Sequence, residues 1–205
     1  MTKLIKDSDP SVFKEIANCV KNSGVFIYPT ETLYGIGCLA SNESACEKIV
    51  EIKGRSENKG LIVLVKDKKM LEDHFIINKE ITNKYLKIDK PLTLILESKT
   101  EFPRVVSGGT NKIAVRISSN IFVQKLLNLL NEPITSTSAN ISGKENLFEF
   151  DDIYNNFNNK VDLIVNSGNI PPSKGSAILD LTKKPPTVIR KGDLTDSEIK
   201  EFLYA

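Results

Sequence analysis

The chain has no tryptophan, two methionines, one histidine and three cysteines in 205 residues, and each shortage closes off a chemistry. With His74 as the single histidine, no serine has a credible His-Asp partnership, which argues against a triad hydrolase. Cys19, Cys38 and Cys46 offer neither a CxxC pair nor a metal-ligand spacing. They read as small buried apolar side chains in a reducing compartment, with a disulfide or a metal site as the lesser alternative. Charge of one sign is also in short supply: the net charge is +2, so bulk electrostatics do not announce a nucleic-acid binder, although a local basic face remains open. The first ten residues are polar and no run approaches the ~18 apolar residues of a membrane span, so a cytoplasmic protein is expected. Phosphate loops of the GxxxxGK[ST] and GxGxxG kinds, a zincin HExxH and a GxSxG elbow are all missing.

Arginine is scarce too, with four residues against 24 lysines. Where any cation will serve, this chain uses lysine. Three of the four arginines, Arg55, Arg116 and Arg190, stand beside or directly after apolar runs. A planar five-donor fork at such positions suits bidentate recognition of carboxylate or phosphate, and three together favour a shared anionic site over separate structural ion pairs.

Apolar periodicity lays out the rest. Val25 to Tyr28 reads as a strand that stops at Pro29, Thr30 to Thr32 as a polar turn, and Leu33 to Leu39 as a second strand. Ser41 or Asn42 caps a helix carrying Ala45, Ile49 and Ile52 on one face, ended near Gly54. Leu61 to Val65 is an uninterrupted apolar run of the buried-strand kind. Before this stretch, Leu4-Ile5 reads as a short edge strand and Val12 to Val20 as a helix, with Ser8 or Asp9 as cap, Pro10 at its first position and Gly24 taking the left-handed turn that ends it. After it come a helical region from Met70 to Ile88, a strand at 91–96, a loop at 107–110, a strand at 113–117, and a helix at 120–130. A strand at 161–165, a mobile-looking loop at 167–175 that would serve as a lid, and a closing hairpin at 176–190 follow. Thr195 and Glu198 have capping-box spacing for a final helix. Strands alternating with helices give an α/β fold in one domain, whose ligands gather at strand ends. The segment Ile134 to Gly143 stands out, because six of its ten residues carry a hydroxyl or amide, and no apolar core selects those without partners.

Five motifs carry a resemblance: Tyr28 to Gly35 (YPTETLYG), Lys53-Gly54-Arg55 with Lys59-Gly60-Leu61, Pro91-Leu92-Thr93, Val115-Arg116, and Ser136 to Gly143 (STSANISG). Together and in this order, over about residues 10 to 192, they resemble the YrdC/TsaC family of threonylcarbamoyl-AMP synthases in its short single-domain form. The resemblance implies an open, twisted, mixed sheet flanked by helices around a large positively charged cavity. It also implies an enzyme that joins L-threonine, bicarbonate and ATP, with Mg²⁺, into L-threonylcarbamoyladenylate and pyrophosphate. That product would pass to a transferase complex modifying tRNA adenosine next to the anticodon. In site terms it implies Lys53 and Arg55 as catalytic cations, and Arg55, Lys59, Ser138, Asn140 and Arg190 on ATP. Thr32, Arg116, Ser136 and Ser176 would hold threonine. Glu31 would act through water or simply shape its turn. Five residues at four places depart from the pattern: Ser56, Asp89-Lys90, Ser118 and Ala177. Two other readings stay open, an RNA-binding module of the same fold that takes tRNA or double-stranded RNA, and a small-molecule sensor.

Overall fold

A computed structural model describes residues 1–56 and 58–204. In chain order the elements are β1 (Lys3–Lys6), α1 (Val12–Lys21), β2 (Phe26–Tyr28), β3 (Gly35–Gly37), α2 (Glu43–Lys53), β4 (Ile62–Val65) and α3 (Lys68–His74). These are followed by β5 (Phe75–Ile76), α4 (Lys79–Tyr85), β6 (Leu92–Ser98), α5 (Arg104–Ser107), β7 (Lys112–Ile117) and α6 (Ile121–Leu130). The last are β8 (Ile134–Ser138), α7 (Phe150–Phe157), β9 (Leu163–Asn166), β10 (Ala177–Asp180), β11 (Thr187–Arg190) and α8 (Asp196–Tyr204). All strands join one eleven-stranded mixed sheet in the order β1-β9-β2-β3-β8-β4-β7-β6-β10-β11, with β5 on β6. The expected mixed α/β sheet flanked by helices is therefore present, with β1 at one edge as the Leu4-Ile5 signal suggested.

Local chemistry explains most boundaries. The side chain of Asn42 accepts the Ala45 N–H, and Gly54 closes α2 at φ +56°, a left-handed angle that costs glycine least. Asn120 caps α6 through the Val123 N–H. Thr195 and Glu198 form the expected reciprocal box: Glu198 accepts the Thr195 N–H at 2.7 Å and Thr195 Oγ1 accepts the Glu198 N–H at 3.3 Å. Three expectations change. Ser11, not Ser8 or Asp9, stands at the N-cap of α1 and Pro10 lies ahead of the helix, while the Asp9 carboxylate accepts the Ser11 N–H at 2.8 Å. The region from Met70 to Ile88 is two helices with β5 between them, because Asp67 and Asn78 each cap a separate start, accepting the Met70 and Ile81 N–H groups. At the end of α1 it is Ser23, at φ +55°, that takes the left-handed conformation. Gly24 is required for clearance instead: a Cβ there would lie 2.5 Å from Cys19 Sγ and 2.7 Å from the Cys19 carbonyl oxygen.

The centre of the sheet is where the fold prepares a site. Strand β8 lies antiparallel to both β3 and β4, so its hydroxyl-rich face is built into the middle of the molecule. Close approach of β3 depends on its glycines. A Cβ at Gly37 would sit 2.4 Å from the Thr135 carbonyl oxygen, and one at Gly35 2.9 Å from Ser136 Oγ. The buried Tyr28 donates from its hydroxyl to the Thr135 carbonyl at 3.0 Å, tying β2 to β8 across β3. Cys38 and Cys46 are buried free thiols with their sulfurs 3.5 Å apart, and Cys19 is partly exposed and also free.

Candidate functional site

A cavity of about 240 Å³ opens over the centre of the sheet, and its wall is assembled from six separate stretches. The turn after β2 gives Thr30 and Thr32, the loop after α2 gives Arg55, β7 gives Arg116, and β8 gives Ser136, Thr137 and Ser138. The approach to β10 gives Gly175 and Ser176, and β11 gives Arg190. Isoleucines at 62, 95, 178 and 189 supply an apolar floor. Arg55, Arg116 and Arg190, from three distant parts of the sequence, thus line one hollow, and no carboxylate is among the side chains facing it in the described residues.

Each cation is held by its own neighbours. Arg55 donates from Nε to the Lys59 carbonyl at 2.9 Å and from Nη2 to the Gly60 carbonyl at 2.8 Å, with Nη1 3.5 Å from Thr137 Oγ1. Arg190 donates from Nε to the Ser176 carbonyl at 2.9 Å and from Nη2 to Ser176 Oγ at 3.2 Å. Burial lowers the pKa of both from the ordinary guanidinium value, and the charge of Arg116 adds to the effect on Arg190. Both stay cationic near neutral pH because a guanidinium gives up its proton only at far higher pH. Arg116, 4% exposed, has its Nε 3.3 Å from Glu31 Oε1. The hydroxyls are similarly fixed: Ser176 Oγ lies 2.8 Å from Thr93 Oγ1, and Thr30 Oγ1 lies 3.2 Å from Thr32 Oγ1 while donating to the Leu33 carbonyl at 2.6 Å. Such a lining can orient an anion with cations and short hydroxyls, and among the described residues no histidine or thiol faces it, so the chemistry it permits is positioning and charge stabilisation.

Comparison with known proteins gives this arrangement a family. Residues 18–192 match the Sua5/YciO/YrdC family model, described as "Telomere recombination". The chain belongs to the Sua5/YciO/YrdC family. It is 33% identical over 192 residues to the threonylcarbamoyl-AMP synthase of Pyrococcus abyssi, covering 91% of this chain and 56% of that protein. The structure of P. abyssi Sua5 complexed with L-threonine superposes with a TM-score of 0.90 at 30% identity, over 100% of this chain and 61% of that one. This chain therefore spans little more than half the length of these archaeal relatives. By contrast, E. coli YciO is matched nearly end to end, 97% of this chain and 99% of that one, at 25% identity and a TM-score of 0.85.

Against this family background, the side chains singled out in the sequence fall into three groups. Thr32, Arg55, Arg116, Ser136, Ser138, Ser176 and Arg190 line the cavity. Lys53 and Asn140 lie behind its wall. The Lys53 ammonium, in a residue 2% exposed, donates to the carbonyls of Ser138 and Asn140, the latter at 2.6 Å, and lies 3.3 Å from Asn140 Oδ1. Asn140 Oδ1 also accepts from Ser138 Oγ at 2.6 Å. In this arrangement Lys53 cross-braces the loop that presents Ser138. Burial, with a smaller push from Arg55, lowers its pKa to about 8. Lys59 has an exposed side chain and contributes its carbonyl, to Arg55.

The sequence reading passed over several participants. Thr93, Thr137 and Tyr34 were inside or beside quoted motifs, yet a hydroxyl in a strand carries no local mark of what it faces. Tyr34 donates from its hydroxyl to the Gly168 carbonyl at 2.8 Å and accepts the Ser167 N–H at 2.9 Å. With Ile170 N–H on the Phe148 carbonyl at 3.0 Å and Lys174 N–H on Asp193 Oδ1 at 3.2 Å, these bonds tether segment 167–175 along its length. The segment thus lies as a strap tied to its neighbours.

Proposed function

We propose that this chain makes L-threonylcarbamoyladenylate from L-threonine, bicarbonate and ATP. The observation that supports this reading most is the convergence of Arg55, Arg116 and Arg190 with the β8 hydroxyls on one cavity. In it, Arg116 pairs with the α-carboxylate of threonine, and Thr32, Ser136 and Ser176 fix the remaining polar groups. The free amine adds to the carbon of bicarbonate, water is lost and a carbamate results. A carbamate oxygen then attacks the α-phosphorus of ATP, the bond to the bridging oxygen breaks and pyrophosphate leaves. Arg55 and Arg190, freed from the carbonyls and the hydroxyl they now hold, offset the charge that grows on the departing phosphates. Lys53 acts through Ser138 and Asn140 by keeping their loop in place. At about 240 Å³ the hollow suits an amino acid, and the triphosphate extends over its mouth.

Mg²⁺ enters as part of the MgATP substrate, since the cavity wall supplies guanidinium and hydroxyl groups and no group of three or more metal-ligating side chains occurs among the described residues. The product is activated as a mixed anhydride, which suits transfer of its threonylcarbamoyl group to adenosine of tRNA by a separate transferase. The test is direct: protein, ATP, L-threonine, bicarbonate and Mg²⁺ are incubated and pyrophosphate is measured. Release that requires both threonine and bicarbonate is the expected result. No pyrophosphate above the threonine-free control would overturn the reading, and RNA binding without it would favour the nucleic-acid alternative.

A further inference from the structure

Glu31 belongs to the turn that places Thr32, yet its own side chain lies outside the cavity, on the far side of Arg116. One carboxylate oxygen, Oε1, is 3.3 Å from Arg116 Nε. The other, Oε2, accepts a hydrogen bond from Ser118 Oγ at 2.6 Å. Ser118 is in turn fixed by the start of α6. Its hydroxyl oxygen receives the Asn120 N–H at 3.3 Å, and its carbonyl receives Gln124 Nε2 at 2.6 Å. A hydroxyl that already accepts from a backbone N–H has its proton directed elsewhere, and here that proton goes to Glu31. The chain of contacts therefore runs from the first turn of α6 through Ser118 and Glu31 to the guanidinium.

Its effect on Arg116 is geometric. Glu31 occupies the Nε side of the planar fork, where the 3.3 Å approach is an ion pair, since neither Arg116 Nε nor Glu31 Oε1 has a hydrogen bond among the described residues. The two Nη groups are consequently left for whatever enters the cavity. A carboxylate bound by a guanidinium gains most from two parallel N–H···O bonds, which demand a fixed plane. Arg116 shares its cavity with a second cation, Arg190, whose charge repels it; a carboxylate on its Nε edge opposes displacement from that plane.

We propose that Glu31, locked by Ser118, is the positioning residue that aims Arg116 at the α-carboxylate of the amino-acid substrate. This rests on the preceding reading that the cavity takes L-threonine. The experiment is calorimetric titration of the whole chain with L-threonine and, separately, with MgATP, for the wild type, Ser118→Ala, Ser118→Thr and Glu31→Gln, with thermal unfolding as a check on folding. Ser118→Ala is expected to weaken L-threonine binding about fivefold to tenfold, the scale of one hydrogen bond to a charged group. MgATP affinity stays within about twofold, and Ser118→Thr, which restores the hydroxyl, recovers the loss. Glu31→Gln is expected to weaken threonine further in the same selective way. If the wild type binds L-threonine and Ser118→Ala binds it equally well, or weakens both ligands alike, the positioning role is overturned while the threonine reading stands. If the wild type does not bind L-threonine at all, both fall.

Discussion

Thr93 and Ser176 offer the sharpest test of how this site is built. Strand β10 runs parallel to β6 with Ile178 opposite Thr93, and the two hydroxyl oxygens meet 2.8 Å apart in side chains that are 0% and 1% exposed. Ser176→Ala removes one oxygen and leaves the Thr93 hydroxyl without a partner among the described residues, which costs about 1–3 kcal/mol. Thr93→Val is isosteric and leaves Ser176 Oγ with the Arg190 Nη2 contact at 3.2 Å, so its cost falls near the lower end, about 1 kcal/mol. The double variant leaves neither hydroxyl orphaned, and loses only the Arg190 Nη2 contact that Ser176→Ala alone also loses. It should be less destabilised than the sum of the single changes, by a coupling of about 1–2 kcal/mol. For a chain of this length 1 kcal/mol corresponds to about 2–4 °C in Tm. Thermal unfolding followed by circular dichroism should then show Ser176→Ala lower by about 4–8 °C at a loss of 2 kcal/mol, with little further fall on adding Thr93→Val. Strict additivity, to within about 0.5 kcal/mol, would refute the claim that these hydroxyls satisfy each other.

Three more outcomes are expected. Arg55→Ala should lower threonine-dependent pyrophosphate release at least about tenfold with Tm lowered by only a few degrees; unchanged turnover would remove Arg55 from the reaction. Tyr34→Phe takes both hydrogen bonds from the start of the 167–175 strap, and at about 1 kcal/mol each should raise the rate of proteolytic nicking within that segment, a change that would be absent if the strap were held only by its other ties. Lys53 should titrate near 8 in an NMR experiment on its labelled ammonium. Because the folded chain gives up this proton before the unfolded chain does, stability contributed by Lys53 rises with pH between about 8 and 10.5. Below that window the full cost of burying the charge is present. A midpoint close to 10.5 would mean that the hydrogen bonds from the ammonium to the Ser138 and Asn140 carbonyls offset the cost of burial.

What could be read from the residues alone was whatever short-range chemistry decides. Asn42 and Gly54 bracket α2, Thr195 and Glu198 start α8, and the apolar runs became strands, since caps and two-residue alternation act within a few positions. Asn78 carried an equally local capping signal, yet the apolar repeat across Ile77, Ile81 and Tyr85 masked it, and the break at β5 went unseen. Arginine scarcity correctly brought Arg55, Arg116 and Arg190 to one place, because a guanidinium beside an apolar run needs an anion or a set of carbonyls. Lys53, one of 24 lysines, is not marked out by that criterion and was pointed to only by the family resemblance. Its burial beneath residues 138 to 140 depends on a loop more than eighty positions away, which no local pattern encodes. The tethering of 167–175 likewise depends on Tyr34, Phe148 and Asp193, while the glycines and prolines within it advertise only freedom.

The parallel pairing of β10 with β6 sets Ala177 against Leu92, and Arg190 arrives only with the strand after that. A nascent chain can therefore lay down the turn at 30–32 and strands β4 to β8 while one side of the hollow is still missing. Long-range pairings of this kind form late because much chain must be ordered before they are rewarded. Until that hairpin docks, Arg55 and Arg116 stand at a groove that still lacks the side formed by Ser176 and Arg190.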